Sequence, residues 1–271
     1  MNFFQQFAAS TYMCLISFAY RQHPSYPLIL VANRDEFFTR PSQAMHYWED
    51  KPNLLAGRDL SAGGTWLGFN TQGRFAALTN YRDVQSAQPV HPLSRGALVN
   101  AALDTAQTLK SQLAAADSQQ AHYSGYNLLA GDRDALYYAD SSDEPYRPLS
   151  PGIYGLSNAR LNTPWPKLER AVEQLRAVLD QATLTTAKLA HVLQEQEVFP
   201  DHQLPDTGIS LEWERALSSQ FIQMPEYGTR AKTIVLLADT GECQVSEISY
   251  SPEHAPETRD FSFTTALLSG R

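Results

Sequence analysis

The stretch Met13-Cys14-Leu15-Ile16-Ser17-Phe18-Ala19-Tyr20 is an apolar run with the length of a β-strand, and its first two residues also suggest a chemistry. If Met13 is the true start, removal of that methionine leaves Cys14 as the first residue. A terminal cysteine carries its own base, because its α-amino group has an unperturbed pKa of about 7.7–8.0. Since the thiolate is the attacking species, one residue can supply both nucleophile and base.

Residues 1–12 are predicted to be an upstream extension, which a misassigned start, a short propeptide or a disordered tail would explain. The segment contains no lysine or arginine, and polar residues interrupt its apolar ones. It therefore lacks the features of a secretory signal peptide. We expect residues 13–271 to form a single domain.

Composition restricts the class of protein. The 271 residues can bury a large core, and no apolar run reaches the roughly 18 residues of a membrane span, so no stable membrane insertion is expected. A net charge of −8 argues against nucleic acid as a partner and favours a small-molecule ligand. The two cysteines cannot build a disulfide framework, so we expect a cytoplasmic location. No metal or nucleotide motif occurs, so no metal and no cofactor are predicted.

The order of predicted elements is strands, a helix, strands, two helices and strands. Short apolar runs bounded by turn residues predict the strands, and apolar residues at helical spacing predict helices at about 95–116, 166–179 and 186–198. Nearly every link between strands is short enough for a hairpin. This pattern favours an α+β fold with antiparallel sheets and helices packed outside.

Polar residues come directly after the second predicted strand, which covers residues 28–32. They read Asn33-Arg34-Asp35-Glu36, and two neighbouring strands could bring them to Cys14. Asp35 could orient the terminal ammonium. Arg34 could stabilise a thiolate or bind an anionic group of a substrate.

Two asparagines and one arginine stand at other strand ends. Asn80 and Asn158 end predicted strands, where an amide can donate to an oxyanion, and the loss of one such donor costs about 100–1000-fold in rate. Arg230 precedes the strand that begins near residue 233 and adds a fixed positive charge.

Each candidate also has a structural interpretation. A cysteine in an apolar strand is usually a small buried hydrophobe. The four-residue polar motif can form a turn with an internal ion pair. The two asparagines can cap strands, Trp66 can be a core residue beside a tight turn, and Arg230 can be a surface charge.

Six segments together resemble the NRDE family, the bacterial relatives of the eukaryotic transport and Golgi organisation protein 2. They are Met13-Cys14-Leu15-Ile16, Ala32-Asn33-Arg34-Asp35-Glu36-Phe37, Ala56-Gly57-Arg58-Asp59, Gly63-Gly64-Thr65-Trp66-Leu67-Gly68, Leu78-Thr79-Asn80-Tyr81-Arg82 and Gly155-Leu156-Ser157-Asn158. This family is similar to the N-terminal-nucleophile hydrolases, in particular to the penicillin V acylases and bile salt hydrolases. The resemblance implies a four-layer αββα sandwich of two antiparallel sheets.

The resemblance also implies roles for single residues. Cys14 would attack an amide, Asp35 would position the terminal amine, and Asn80 would form the oxyanion hole. The second asparagine and the late arginine of that branch correspond to Asn158 and Arg230. We further expect substrate contacts from Arg34, Asn33 and Trp66.

Two functions of different classes remain open. The leading hypothesis is an N-terminal cysteine amidohydrolase that acts on a small acyl amide or other linear amide. The alternative is a non-enzymatic haem or lipid carrier on the same scaffold, with Cys14 as a possible axial thiolate. Fold alone cannot separate them.

Overall fold

A computed structural model describes residues 13–82, 92–142, 144–181 and 183–270, so the predicted extension at 1–12 lies outside the described residues. The strands are β1 (Met13–Tyr20), β2 (Leu28–Phe37), β3 (Ser42–Trp48), β4 (Lys51–Asp59), β5 (Leu67–Asn70), β6 (Arg74–Asn80), β7 (Tyr126–Gly131), β8 (Leu136–Asp140), β9 (Arg147–Pro148), β10 (Gly152–Leu156), β11 (Tyr227–Leu237), β12 (Glu242–Ser249) and β13 (Glu257–Thr264). The α-helices are α1 (Gly96–Leu103), α2 (Leu109–Ser118), α3 (Pro166–Leu179), α4 (Thr186–Leu189) and α5 (Leu211–Ala216).

The strands form two antiparallel sheets. One has six strands in the order β10-β1-β2-β11-β12-β13, and the other has seven in the order β3-β4-β5-β6-β7-β8-β9. In the larger sheet each strand pairs with its neighbour in sequence. The smaller sheet brings β2 beside β11, almost 200 residues later, and this pairing completes the wall that carries Cys14.

Apolar side chains fill the three spaces between four layers. The space between the sheets is filled by residues such as Phe18, Leu30 and Phe75. Helices α1 and α2 cover the outer face of the seven-stranded sheet, and α3 and α4 cover the outer face of the six-stranded sheet. The predicted αββα sandwich is therefore confirmed. Among the described residues, no helix combines the length and apolar character needed to cross a bilayer.

Strand β2 is longer than its apolar run predicted. The polar motif was expected after the strand, but it continues the strand to Phe37 because β1 and β11 pair with it on both sides. Successive side chains of a strand point to opposite faces. Leu28 and Leu30 face the other sheet, whereas Ile29 and Val31 face the helices. The same alternation places Arg34 and Glu36 on the face toward the other sheet, and Asn33 and Asp35 on the face toward the helices.

Two helix predictions were wrong in extent. The helix expected at 95–116 is interrupted, because Asp104 is extended (φ −74°, ψ 124°) and Thr108 caps a new helix by accepting a hydrogen bond from the Ser111 amide. The helix expected at 186–198 ends at Leu189. Leu193, which takes a positive φ of 62°, follows in the same segment.

Candidate active site

A cavity of about 620 Å³ opens where β1 and β2 of one sheet face β4 and β6 of the other. Residues of both sheets line it. Six of the eight residues predicted for the site are on its wall, namely Cys14, Arg34, Asp35, Trp66, Asn80 and Arg230. The other two, Asn33 and Asn158, are close in the chain to cavity residues but have other contacts, described below.

Cys14 lies at the start of β1, directly opposite Arg34 on β2, and only 8% of the residue is exposed. Burial raises the pKa of its thiol to about 12, and the nearby Asp35 and Glu36 carboxyls add to this effect while Arg34 opposes it. With Met13 still attached, the thiol is therefore protonated at neutral pH. The cysteine is placed for chemistry, but its sulfur is not activated in this form of the chain.

Asp35 is on the helix-facing side of β2 but also borders the cavity, at the end where β1 begins. The register pairs Asp35 with Met13 on one side and with Thr229 on the other. The Thr229 hydroxyl donates to Asp35 Oδ1 at 2.6 Å. Burial nevertheless raises the pKa of the carboxyl, against the lowering effects of that hydrogen bond and of Lys167. An amine freed at Cys14 would appear next to this carboxyl.

Lys167 is a candidate residue that the sequence analysis missed. It is buried in the first turn of α3, where its Nζ donates to the Leu217 carbonyl at 2.8 Å. Burial lowers its pKa, and the charges of Asp35 and Cys14 act in the opposite direction. The sequence held a signal, because Lys167 lies four residues before Ala171 and eight before Leu175, on the buried stripe of the helix.

An ion-pair network covers the cavity wall next to Cys14. Arg34 pairs with Glu36 at 3.2 Å, and Arg40 approaches both Glu36 at 3.6 Å and Asp59 at 2.8 Å. The internal ion pair proposed for the motif thus exists, although it lies on a strand and not in a turn. Burial raises the pKa of Glu36, against the effect of Arg34.

Arg230 reaches the same wall through a β-bulge. The register of β11 against β2 shifts between Thr229 and Ala231, so Arg230 is the extra residue of that strand. Its Nη1 donates to the carbonyls of Phe37 and Arg40. Burial and the neighbouring Arg34 lower the pKa of its guanidinium. Arg230 is therefore a half-buried cavity residue and not a surface charge.

The two asparagines occupy different positions. Asn80 is the last residue of β6 and lines the cavity, whereas Asn158 is fully buried and does not. The side-chain amide of Asn158 donates to the backbone carbonyl of Asn80 at 2.9 Å. Asn158 therefore positions the backbone of the other asparagine, which corrects the expectation that it contributes directly to an oxyanion hole.

Asn33 faces away from the cavity, which corrects its assignment to substrate binding. Its Nδ2 donates to the carbonyls of Leu193 and Gln220, both at 2.9 Å, under the helical layer. The physical reason is the alternation of β2, which gives Arg34 to the cavity and Asn33 to the helices. Asn33 instead anchors the segment that packs behind the site.

Trp66 lies where either of its predicted roles would place it. It is half-buried, packs against the core between the sheets and lines the cavity. Its backbone carbonyl accepts from the Leu78 amide at 2.8 Å, which holds the turn that follows β4. Its indole thus presents an apolar surface to a ligand beside the charged wall.

The combined groups suit nucleophilic attack on a carbonyl more than metal chemistry. A thiol, a carboxyl, an amide and two guanidiniums share one cavity. Within the part of the chain that the structure describes, no group of three or more His, Cys, Asp and Glu side chains is arranged to hold a metal ion. The second cysteine, Cys243, is fully buried in the core between the sheets and lies outside the cavity wall.

Comparison with known proteins identifies the family. The model of the Transport and Golgi organisation 2 family matches residues 13–252. The chain is 36% identical to the human Transport and Golgi organization protein 2 homolog and 34% identical to the mouse homolog, covering 93% of this chain and 99% of each relative. The Drosophila melanogaster protein is 26% identical, over 83% of this chain and 88% of that protein.

Among solved structures, a Caenorhabditis elegans ortholog of N-acylethanolamine-hydrolyzing acid amidase overlaps with a TM-score of 0.47 at 10% identity, over 82% of this chain and 92% of that chain. At this similarity neither its activity nor its substrate transfers to the present protein. The family match and the vertebrate relatives, in contrast, cover nearly the whole sequence. The chain therefore belongs to the Transport and Golgi organisation 2 family, as its six NRDE-type segments indicated.

Proposed function

We propose that this protein is an N-terminal cysteine amidohydrolase that acts on a small acyl amide or other linear amide. The observation that carries the proposal is the position of Cys14, which lines the cavity at the start of β1, while Asp35 is paired with Met13, the residue directly before it. Removal of the residues before Cys14 would convert the backbone nitrogen of Cys14 from an amide, which is not basic, into an amine. The nucleophile and its base would then stand on one residue.

Processing would also activate the sulfur. In the unprocessed chain, burial and two carboxyls hold the thiol pKa at about 12. A new ammonium at Cys14 places a positive charge on the same residue as the sulfur. Removal of the residues before Cys14 also admits water. Both effects favour the thiolate. The proposed enzyme is therefore inactive until its N-terminus is Cys14.

The reaction follows from these positions. The Cys14 amine accepts the thiol proton, and the sulfur attacks the amide carbonyl. Asn80 donates to the oxyanion, while Asp35 orients the amine. The amine then gives its proton to the leaving nitrogen, and the C–N bond breaks to leave a thioester. Attack by water on the thioester releases the acid and restores the thiol.

The cavity argues against the lipid form of the carrier alternative. Six arginines and five carboxylates are among the lining residues, and such a wall is a poor match for a wholly apolar lipid. The two cysteines are free thiols, for which we propose a reducing, cytoplasmic location. Small molecules, and not nucleic acids, are the proposed ligands, in keeping with the net charge of −8.

Intact-mass analysis with an amide or lactone probe directed at cysteine tests the proposal. Protein produced with Cys14 as its first residue should gain one acyl group, and Cys14→Ala should gain none. Cys243→Ser is the matched control and should react like the unmodified protein. If no acylation occurs and haem or lipid is retained on purification, the carrier hypothesis would replace the hydrolase hypothesis. Mass analysis of protein made from its native locus should show a chain that begins at Cys14.

A further inference from the structure

The bulge in β11 adds one positive charge to the cavity wall. Regular alternation would present one side chain of this part of β11 to the cavity, but both Arg230 and Ala231 line it. Bulges often occur next to active sites, where they re-aim a side chain. The arginine is held in place through its backbone as well, since the Tyr250 amide donates to its carbonyl at 2.8 Å.

The carboxylates near this arginine are engaged by other arginines. Glu36 pairs with Arg34 and Arg40, and Asp59 pairs with Arg40. Arg230 makes its hydrogen bonds to two backbone carbonyls, and no carboxylate in the described parts of the chain forms an ion pair with it. The whole cavity wall holds six arginines and five carboxylates, and the charge of Glu36 still acts on Arg230 although Glu36 pairs with Arg34 and Arg40. The wall has an excess positive charge at Arg230.

This excess charge lies close to the sulfur. Cys14 is opposite Arg34, and Arg34 is opposite Ala231, which follows Arg230. The bulge is therefore two strand spacings from Cys14, about 10 Å between backbones. An arginine side chain spans a large part of that separation. A group bound by Arg230 would lie only a few bonds from a carbonyl attacked by Cys14.

A half-buried guanidinium without a carboxylate is unfavourable unless a ligand supplies the opposite charge. Burial and the like charge of Arg34 lower its pKa, which reflects that cost. A bound carboxylate or phosphate would offset this cost of burying the charge and would form charge-assisted hydrogen bonds with the guanidinium. We propose that Arg230, with Arg34 beside it, binds an oxyanion group of the substrate, so that the amides cleaved at Cys14 are anionic. This proposal rests on the proposed function for the identity of the reacting bond.

Two alkylating reagents that differ mainly in charge provide the test. In protein that begins at Cys14, the rate constants for alkylation of Cys14 by iodoacetate and by iodoacetamide are measured by mass spectrometry. The ratio of the two constants should fall about tenfold in Arg230→Gln, because one charge is lost near the reagent's carboxylate. Arg230→Lys should retain most of the preference. Arg170→Gln changes a partly exposed, ion-paired arginine outside the cavity and should keep the original ratio.

The design separates this inference from the hydrolase proposal. Alkylation needs no turnover, so failure of the amide probe would leave the ratio informative. An unchanged ratio in Arg230→Gln, or an equal fall in Arg170→Gln, would overturn the anion subsite. If Arg230→Gln does not fold, inorganic phosphate or acetate added to the unmodified protein should lower the ratio more than chloride at the same ionic strength, and an equal ratio in all three salts would refute the subsite. Acetate and inorganic phosphate are also added separately as competitors of alkylation by iodoacetamide. The anion that slows this alkylation more shows whether the subsite prefers a carboxylate or a phosphate.

Discussion

Asn158 donates its side-chain amide to the backbone carbonyl of Asn80, with 2.9 Å between Nδ2 and O. Asn80 ends β6 of the seven-stranded sheet, and Asn158 follows β10 of the six-stranded sheet. The Arg82 amide in turn donates to the Asn158 carbonyl at 2.7 Å. Nearby, the Thr79 hydroxyl donates to the Ser157 carbonyl at 2.5 Å. These bonds join the two sheets at the wall of the cavity.

Asn158→Ala should lower the free energy of unfolding by about 1–3 kcal/mol, because the buried carbonyl of Asn80 loses its partner. Urea unfolding followed by circular dichroism measures the change. The exposed Asn53→Ala is the control and should change stability by less than about 0.5 kcal/mol. Equal stability of the two variants would show that the bond between the sheets contributes nothing.

Asn80→Ala should slow acylation of Cys14 by an amide probe about 100–1000-fold, because the proposed oxyanion loses a donor. Asn80→Asp should be similarly slow, since a carboxylate keeps the shape of the side chain but cannot donate. The measurement is the single-turnover rate of acylation by mass spectrometry. A rate within threefold of the unmodified protein in both variants would assign Asn80 to strand capping alone.

Lys167→Met should shift the alkylation of Cys14 by iodoacetamide to higher pH. Burial lowers the pKa of Lys167 to about 7, so the side chain is charged on the acid side of the profile, where it favours the ionised forms of both Asp35 and Cys14 and where its loss slows alkylation. The pH at half-maximal rate, in protein that begins at Cys14, reports the change. Lys188→Met changes a partly exposed lysine outside the cavity and should leave the profile in place, and a coincident profile for Lys167→Met would exclude the electrostatic role.

Lys232 should make a contribution to stability that rises with pH between about 7 and 10, and the buried thiols of Cys14 and Cys243, whose pKa is raised, should oppose it from about pH 8.5 upward. The buried Nζ of Lys232 donates to the carbonyls of Ala190 and Val192, at 2.9 and 2.7 Å, and burial lowers its pKa from 10.5 to about 7. In that window the unfolded chain binds a proton that the folded protein does not. The contribution of Lys232 to the free energy of unfolding therefore increases with pH, by at most about 1.4 kcal/mol per unit for one group.

The experiment for Lys232 compares urea unfolding at pH 7, 8 and 9. Lys232→Met should have a smaller slope than the unmodified protein, because the group that releases the proton is gone. The exposed Lys51→Met should retain the full slope. If Lys232→Met and the unmodified protein have parallel pH profiles, the ammonium is solvated in the folded state and the structural interpretation is wrong.

The sequence by itself determined the fold class and identified six residues of the cavity wall. Alternating apolar and polar residues with hairpin links specify antiparallel strands, because one face of each strand must be buried. The NRDE-type segments then identified Cys14, Arg34, Asp35 and Asn80. These assignments required only local spacing and family resemblance, and neither depends on knowing which distant strands pair.

Only the tertiary structure decided which side of the sheet each polar residue faces. Asn33 and Arg34 are adjacent in sequence, but pairing of β2 with β1 and β11 extends the strand through both and sends them to opposite faces. The same long-range pairing creates the bulge at Arg230, places Lys167 behind Asp35 and turns Asn158 toward the backbone of Asn80. A strand's register, unlike its apolar pattern, is set by partners far away in the chain, because backbone hydrogen bonds are alike at every residue and only packing selects among them.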